Sequence, residues 1–270
     1  MGSLRRWILG LSLLVPATSA PTQEAPAPKA SETQAPPVPP PAFFPTKAQR
    51  NEARVKEARR LRTEDIQALF AQAGVNYPPA QVLLRVFKAD DTLELWVRNP
   101  KQKEFQLLKS YAICARSGEL GPKRQRGDLQ VPEGFYQVTM FHPRSQFHLS
   151  MLINYPNESD RIRATAHDPG GSILVHGACC TIGCIPITDR WIEELYIICL
   201  DSFTRHANRT LVHIFPGRLD EAGLAKLKQE FPERKDLHTF WEEIRPGFET
   251  FESTHVPAKF RVDRAGAYRF

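Results

Sequence analysis

The 270-residue sequence lacks several features that would set its class at once. The apolar run at its start, Trp7–Pro16, is too short to cross a bilayer comfortably, where about 20 residues are needed. No cysteine lies directly after that run, so a lipoprotein anchor is not expected. There is no internal repeat. Glycine is outnumbered by proline, 15 to 23, and the surplus is confined to one stretch near the start. The net charge is +6, yet the body of the chain has no basic excess: residues 47–62 carry seven Lys or Arg against Glu52 and Glu57, and residues 63–270 balance to zero. A nucleic-acid partner therefore has no electrostatic support in the main domain. Hydrophobic residues at 41% and charged residues at 24% are ordinary globular usage, which excludes a wholly disordered chain and a multi-span membrane protein.

What is present at the N-terminus reads as an address followed by a spacer. Arg5 and Arg6, the apolar run, and the small residues Ala17-Thr18-Ser19-Ala20 form the three parts of a secretory signal, with cleavage expected after Ser19. Residues 1–19 are thus expected to direct export to the periplasm or cell envelope, with membrane contact confined to this segment. Residues 20–46 read as a polyproline-leaning linker, with nine prolines in 21–45. Residues 47–79 read as a basic helical segment. Val55, Ala58, Leu61, Ile66, Leu69 and Phe70 approximate one apolar stripe, and the run from Gly74 to Pro79 breaks the helix.

After Pro79 the pattern turns to strands. Residues 81–88 and 92–98 read as a hairpin around Ala89-Asp90-Asp91, and 105–114 continues the sheet. A glycine- and charge-rich loop spans 116–130. Strands are expected near 134–141, 148–154, 172–176 and 210–215. An amphipathic helix is expected over 188–203, capped by Thr188 or Asp189, and two more helices near 219–231 and 239–253. The class is mainly β with flanking helices (α+β), with a helical C-terminal extension over 218–270.

The chemistry concentrates where the cysteines do. Five occur, at 114, 179, 180, 184 and 199, and an odd number leaves at least one thiol without an intramolecular partner. The segment Ser172–Pro186 reads as a strand ending in His176, a short Gly- and Cys-bearing loop, then a helix. A thiol needs help to become a thiolate, and a nearby imidazole supplies it by taking the proton. The start of the 188–203 helix would favour the negative charge. Backbone N–H groups around Gly183 and Cys184 are candidate donors to a tetrahedral intermediate. His176, Cys179, Cys180 and Cys184 also read as four zinc ligands, but vicinal cysteines crowd a tetrahedral site and the separated knuckles of structural zinc sites are missing. Cys179 and Cys180 can equally pack as small apolar groups, pair with other thiols, or gate Cys184 by oxidation. Cys114 and Cys199 are expected to be buried, and His213 to be structural.

The stretch Val175-His176-Gly177, with Thr181-Ile182-Gly183-Cys184, resembles the signature of the L,D-transpeptidase (YkuD-type) catalytic domain. The short step from His176 to Cys184 is similar to the YafK-like branch. So are the helix-start residues Ile192-Glu193-Glu194-Leu195-Tyr196 and the loop Ser117–Lys123. Val131-Pro-Glu-Gly-Phe-Tyr136 resembles a Pro-x-Gly-x-Phe/Tyr element of the wider family. The resemblance implies a YkuD-type β-sandwich over 80–217, with the nucleophile on a loop before a helix. It implies Cys184 as nucleophile on the diaminopimelate carbonyl of peptidoglycan stem peptides, and His176 as the proton carrier. It places Gly177, Thr181 and Gly183 at family positions and needs no cofactor. His148 and Tyr155 lie in a segment that resembles a substrate-lining one. Arg124 and Arg126, in the charged loop, are candidates for stem-peptide carboxylates. Ile185-Pro186 departs from the Arg or Asn that many members have there. The same branch allows an amidase that releases wall-linked lipoprotein, and a catalytically idle wall-binding module is the remaining alternative.

Overall fold

The computed structural model describes residues 46–270; the expected signal and nearly all of the expected linker lie outside them. The basic segment forms a short turn, α1 (Lys47–Arg50), and a long helix, α2 (Ala53–Ala73), ended by Gly74 in the left-handed conformation. Val55, Ala58, Ile66 and Phe70 are buried, but Leu61 is exposed. The inward position in that turn belongs to Arg62, which reaches Glu193 at 2.8 Å. Arg59 pairs with Asp201. The basic helix is thus docked on its own domain by ion pairs.

The strands follow as β1 (Gln81–Phe87), β2 (Thr92–Arg98), β3 (Gln106–Ala112), β4 (Gly134–Ser145) and β5 (His148–Ile153). After a short helix, α3 (Glu158–Ile162), come β6 (Leu174–His176) and β7 (Ile185–Pro186), then α4 (Thr188–His206) and β8 (Leu211–Phe215). The tail holds α5 (Glu221–Glu230), α6 (Lys235–Thr254) and a hairpin of β9 (Arg261–Val262) and β10 (Tyr268–Arg269). The α+β class expected from the sequence is the one observed. The strands form one sheet in the order β3-β2-β1-β8-β4-β5-β6-β7. Twelve-residue β4 joins its two portions, pairing with β8 through Gly134–Gln137 and with β5 from Val138 onward.

The near-continuous apolar run of β1 reflects burial on both faces. Val82, Leu84 and Val86 share one core with Val212 and Ile214 of β8, with Ile192, Leu195 and Cys199 of α4, and with the apolar stripe of α2. The alternate residues Leu83 and Phe87 face the opposite way. There Phe215 and the aromatic residues of α6, Trp241, Phe248 and Phe251, cover them. Arg85 lies on this second face, fully buried. Its guanidinium sits 2.7 Å from Glu252 and 4.5 Å from the Phe251 ring centre, so the charge is paired and capped by an aromatic face. Among the described residues no helix is long and apolar enough to cross a membrane.

Three details differ from the sequence expectations. α4 begins after Ile187, which has no side-chain acceptor to cap it, and the Asp189 carboxylate accepts instead from the N–H of Ala178. α3 was not expected; Asn157 and Asp160 form a capping box that starts it. The terminal hairpin was also missed, since two-residue strands show no alternation to read.

The charged loop 116–130 is held from beneath by a buried ion pair. Lys88 Nζ, at the end of β1, lies 2.9 Å from Glu133 and donates to the carbonyls of Gly121 (2.8 Å) and Val131 (2.9 Å). Glu133 also accepts from Gly121 N (2.6 Å) and Trp241 Nε1 (2.9 Å). Burial lowers the Lys88 pKa and Glu133 opposes the shift. Lys88→Met leaves the Glu133 carboxylate without its cation in a dry site and should cost about 3–5 kcal/mol in urea unfolding. Adding Glu133→Gln should recover much of that loss. Additive losses in the double variant would contradict the pairing.

Candidate active site

The site begins with a parallel strand pair. Val175 lies opposite Ile185 and His176 opposite Pro186. Cys184 directly precedes this pair, and the Leu174 N–H points at Cys184 Sγ from 3.4 Å. His176 and Cys184 therefore sit on neighbouring strands, with Cys184 two residues before the partner of His176. His176 Nδ1–H donates to the Gly177 carbonyl. That bond fixes the tautomer and leaves Nε2 as the basic nitrogen. The imidazole is 1% exposed and lies under the Phe147 ring at 4.6 Å between centroids. Its burial pushes the His176 pKa below 6.5, partly offset by the Gly177 carbonyl.

The connecting loop is tied at nearly every residue. A Cβ on Gly177 would sit 2.5 Å from Asp189 Oδ1 and 3.0 Å from the Phe147 carbonyl, so only glycine fits. Ala178 takes a positive φ of 58° and donates its N–H to Asp189 at 2.8 Å. Cys179 is disulfide-bonded to Cys114, with Cα atoms 5.4 Å apart. Thr181 Oγ1 accepts from the N–H groups of Gly183 (3.1 Å) and Cys184 (2.7 Å) and donates to the Cys184 carbonyl (2.8 Å). Gly183 has φ 130° and presses on the Gln130 carbonyl, 3.0 Å from where a Cβ would be.

These ties revise several expectations. Cys114 is half-buried rather than buried, and it is the disulfide partner of Cys179. The N–H groups of Gly183 and Cys184 are engaged by Thr181 and are not free oxyanion donors here. β7 separates Cys184 from α4, and the first turn of that helix serves Ala178 through Asp189. Support for a thiolate comes instead from Leu174 N–H and from the Lys123 charge. A zinc set of His176, Cys179, Cys180 and Cys184 conflicts with the disulfide at Cys179. Among the described residues no cluster of His, Cys, Asp or Glu is arranged to hold a metal ion. Cys180 is free and exposed, and Cys199 is free and buried in α4.

Cys184 lines a cavity of about 310 Å³. Val86, Ile113, Leu120, Val131, Ile185 and Phe231 give it apolar walls, and Lys88, Arg116, Glu119 and Glu230 add charge. Burial raises the Cys184 pKa; the Leu174 N–H lowers it, the Cys180 thiol raises it, and Lys123 lowers it. The sequence reading missed Lys88, Phe147, and the wall supplied by Glu230 and Phe231. A lone lysine closing an apolar strand was the available signal for the first. Phe147 was visible only as a neighbour of His148.

None of the four substrate-side candidates is among the residues lining this cavity. His148 pairs with Glu193 at 2.8 Å. The Tyr155 hydroxyl donates to the carbonyls of Pro169 (2.9 Å) and Lys123 (3.3 Å). Arg126 pairs on the surface with Asp168 at 2.6 Å. Arg124 reaches Asp160 at 3.4 Å, stacks on Phe240 and lines a second cavity of about 430 Å³, whose wall shares Leu120 with the first.

No protein-family model matches the chain. It is 36% identical over 184 residues to the protein described as "Putative L,D-transpeptidase YafK" in Escherichia coli (strain K12). That match covers 67% of this chain and 70% of that protein. A protein of the same description in Escherichia coli O157:H7 matches equally. The chain belongs to the L,D-transpeptidase family. Among solved structures it is similar to the helical cell shape determining protein Pgp2 from Campylobacter jejuni, with a TM-score of 0.42 and 16% identity over 68% of this chain and 73% of that one. Bd1075 from Bdellovibrio bacteriovorus gives 0.38 and 21% over 66% and 61%.

Two outcomes check this geometry. Unfolded without reductant, the protein should present three reactive thiols, and five after reduction; five at the outset would remove the Cys114–Cys179 bond. Gly177→Ala should force the loop off Asp189, cost about 1–3 kcal/mol and lower turnover at least tenfold. Unchanged stability and turnover would show that the loop has room.

Proposed function

We propose that this chain is an exported peptidoglycan L,D-transpeptidase working through a thioester on Cys184. The observation that carries the reading is the half-buried thiol at a cavity wall, two residues along the neighbouring strand from the partner of an imidazole whose Nδ1 is engaged by the Gly177 carbonyl. His176 Nε2 takes the Cys184 proton as the sulfur attacks the carbonyl of the diaminopimelate residue in a stem peptide. The tetrahedral intermediate collapses, the D-alanine amine leaves with the proton from the imidazolium, and a thioester remains. An acceptor amine then attacks that thioester, His176 takes its proton, and the thiol is restored as the new amide forms. Cys184 supplies the covalent step, so the chemistry asks for no cofactor. Residues 1–19 would deliver the enzyme to the envelope, 20–46 would let it reach the wall, and 80–217 would carry the reaction. The 218–270 extension would add a cavity wall through Glu230 and Phe231.

The resting pair is neutral on both sides, because burial raises the thiol and lowers the imidazole. Activity needs His176 uncharged, so the acid limb of kcat/KM should fall below pH 6.5, and turnover should persist on its alkaline side.

The test is the intact mass of the protein after incubation with a disaccharide-tetrapeptide. A mass gain on Cys184 with free D-alanine is expected, and it should vanish in Cys184→Ala and slow by about 10²- to 10⁴-fold in His176→Ala. A cross-linked product marks transfer; a tripeptide product marks hydrolysis. Turnover of lipoprotein-linked muropeptides without D-alanine release would favour the amidase. Wall binding without turnover in either form would favour the idle binder.

A further inference from the structure

The base is held by a side chain that nothing in the signature includes. Phe147 lies in the tight turn between β4 and β5, and its ring stacks on His176 at 4.6 Å with a 34° tilt. On the sheet, β5 sets fully buried Ser150 beside His176 and β7 sets Pro186 there, so the Phe147 ring covers a face of an imidazole otherwise enclosed by the sheet.

The turn carrying Phe147 is itself clamped from outside. Arg54 of α2 donates to the Ser145 carbonyl at 2.7 Å and also to the His148 carbonyl. His148 Nε2 meets Glu193 of α4 at 2.8 Å, and Arg62 of α2 meets the other oxygen of Glu193 at 2.8 Å. On the inner side the Phe147 carbonyl abuts Gly177, the residue that accepts from His176 Nδ1. One two-residue turn therefore touches both the ring of the base and the residue that orients it.

We infer that Phe147 is a positioning residue for His176, pressed onto the imidazole by a clamp that the N-terminal helix α2 supplies through Arg54, and through Arg62 acting on Glu193. Its work is to fix the ring plane so that Nε2 addresses Cys184, and to keep water from the ring. The titratable groups on the surrounding elements are committed elsewhere. Asp189 binds Ala178 N–H, Glu193 binds Arg62 and His148, and Cys184 accepts from Leu174. Exclusion of water by Phe147 is thus the contribution that substitution removes. The inference rests on the reading of His176 as the base.

The experiment uses the full-length chain and reads two quantities. The first is the His176 imidazole titration followed by NMR, which needs no turnover. The second is kcat and KM for D-alanine release from the tetrapeptide donor. In Phe147→Ala the imidazole pKa should rise toward 6.5, kcat should fall about 10- to 100-fold, and KM should stay within about twofold. Phe147→Tyr should restore both quantities. Arg54→Ala, a change at an exposed helix position, should move both the same way by less, and it keeps the test available should Phe147→Ala fail to fold. An unmoved titration in Phe147→Ala, or a loss that falls on KM alone, would overturn the positioning role. If His176→Ala keeps full turnover while the titration still shifts in Phe147→Ala, the base assignment fails and the inferred catalytic role fails with it, whereas the contact stands.

Discussion

The site depends on pairing two parallel strands across a connection of eight residues, 177–184. Parallel strands usually need a crossover of a dozen or more residues. Here β6 has three residues and β7 two, and the chain must reverse and return within a loop. That pinch explains the loop's composition. Gly177 passes where no Cβ fits, Ala178 and Gly183 take positive φ, and the Thr181 hydroxyl replaces the missing ladder partners of Gly183 and Cys184. The disulfide from Cys179 to Cys114 and the Asp189 contact with Ala178 fasten the outer side. The same pinch brings His176 and Cys184 onto neighbouring strands.

Around this pair the protein is dry rather than strongly charged. Burial pushes the Cys184 thiol up and the His176 imidazole down, so each is held toward its neutral form. The walls are built with the same economy of free charge. Lys88 and Glu133 neutralise each other beneath the cavity while holding Gly121 and Trp241, which ties the 116–130 loop, the end of β1 and α6 into one unit. Lys123 and Asp128 do the same within that loop, where Asp128 also gathers the N–H groups of Arg124, Gln125 and Gln130. Cavity shape is therefore set by buried polar contacts whose loss would leave unpaired groups in the interior.

Much of this was legible in the sequence. The alternating and doubly buried strands from Gln81 to Phe215, the α4 stripe and the His176-to-Cys184 spacing all follow from local pattern, and local pattern is what a sequence displays. The rest is long-range. The Cys114–Cys179 bond joins residues 65 apart, and neither position marks its partner. Thr181 was visible as a motif residue, but its engagement of the Gly183 and Cys184 N–H groups depends on loop closure. Leu61 was placed in the α2 stripe, but the row of Ala58, Ile66 and Phe70 at four-residue steps passes through Arg62, whose charge Glu193 pairs. The wall from α5 was hidden because packing of the tail onto β1 and β8 depends on side chains far apart in the chain.

The central claim is that His176 activates Cys184 across the parallel pair. The most direct measurement is the rate of Cys184 alkylation by iodoacetamide from pH 5 to 10, followed by peptide mass in a Cys180→Ser background, with and without His176→Ala. The account predicts a neutral-pH plateau that begins below 6.5 and is lost in His176→Ala, where reaction appears only above the ordinary thiol range, since burial raises that thiol. Superimposable profiles in the two proteins would contradict it.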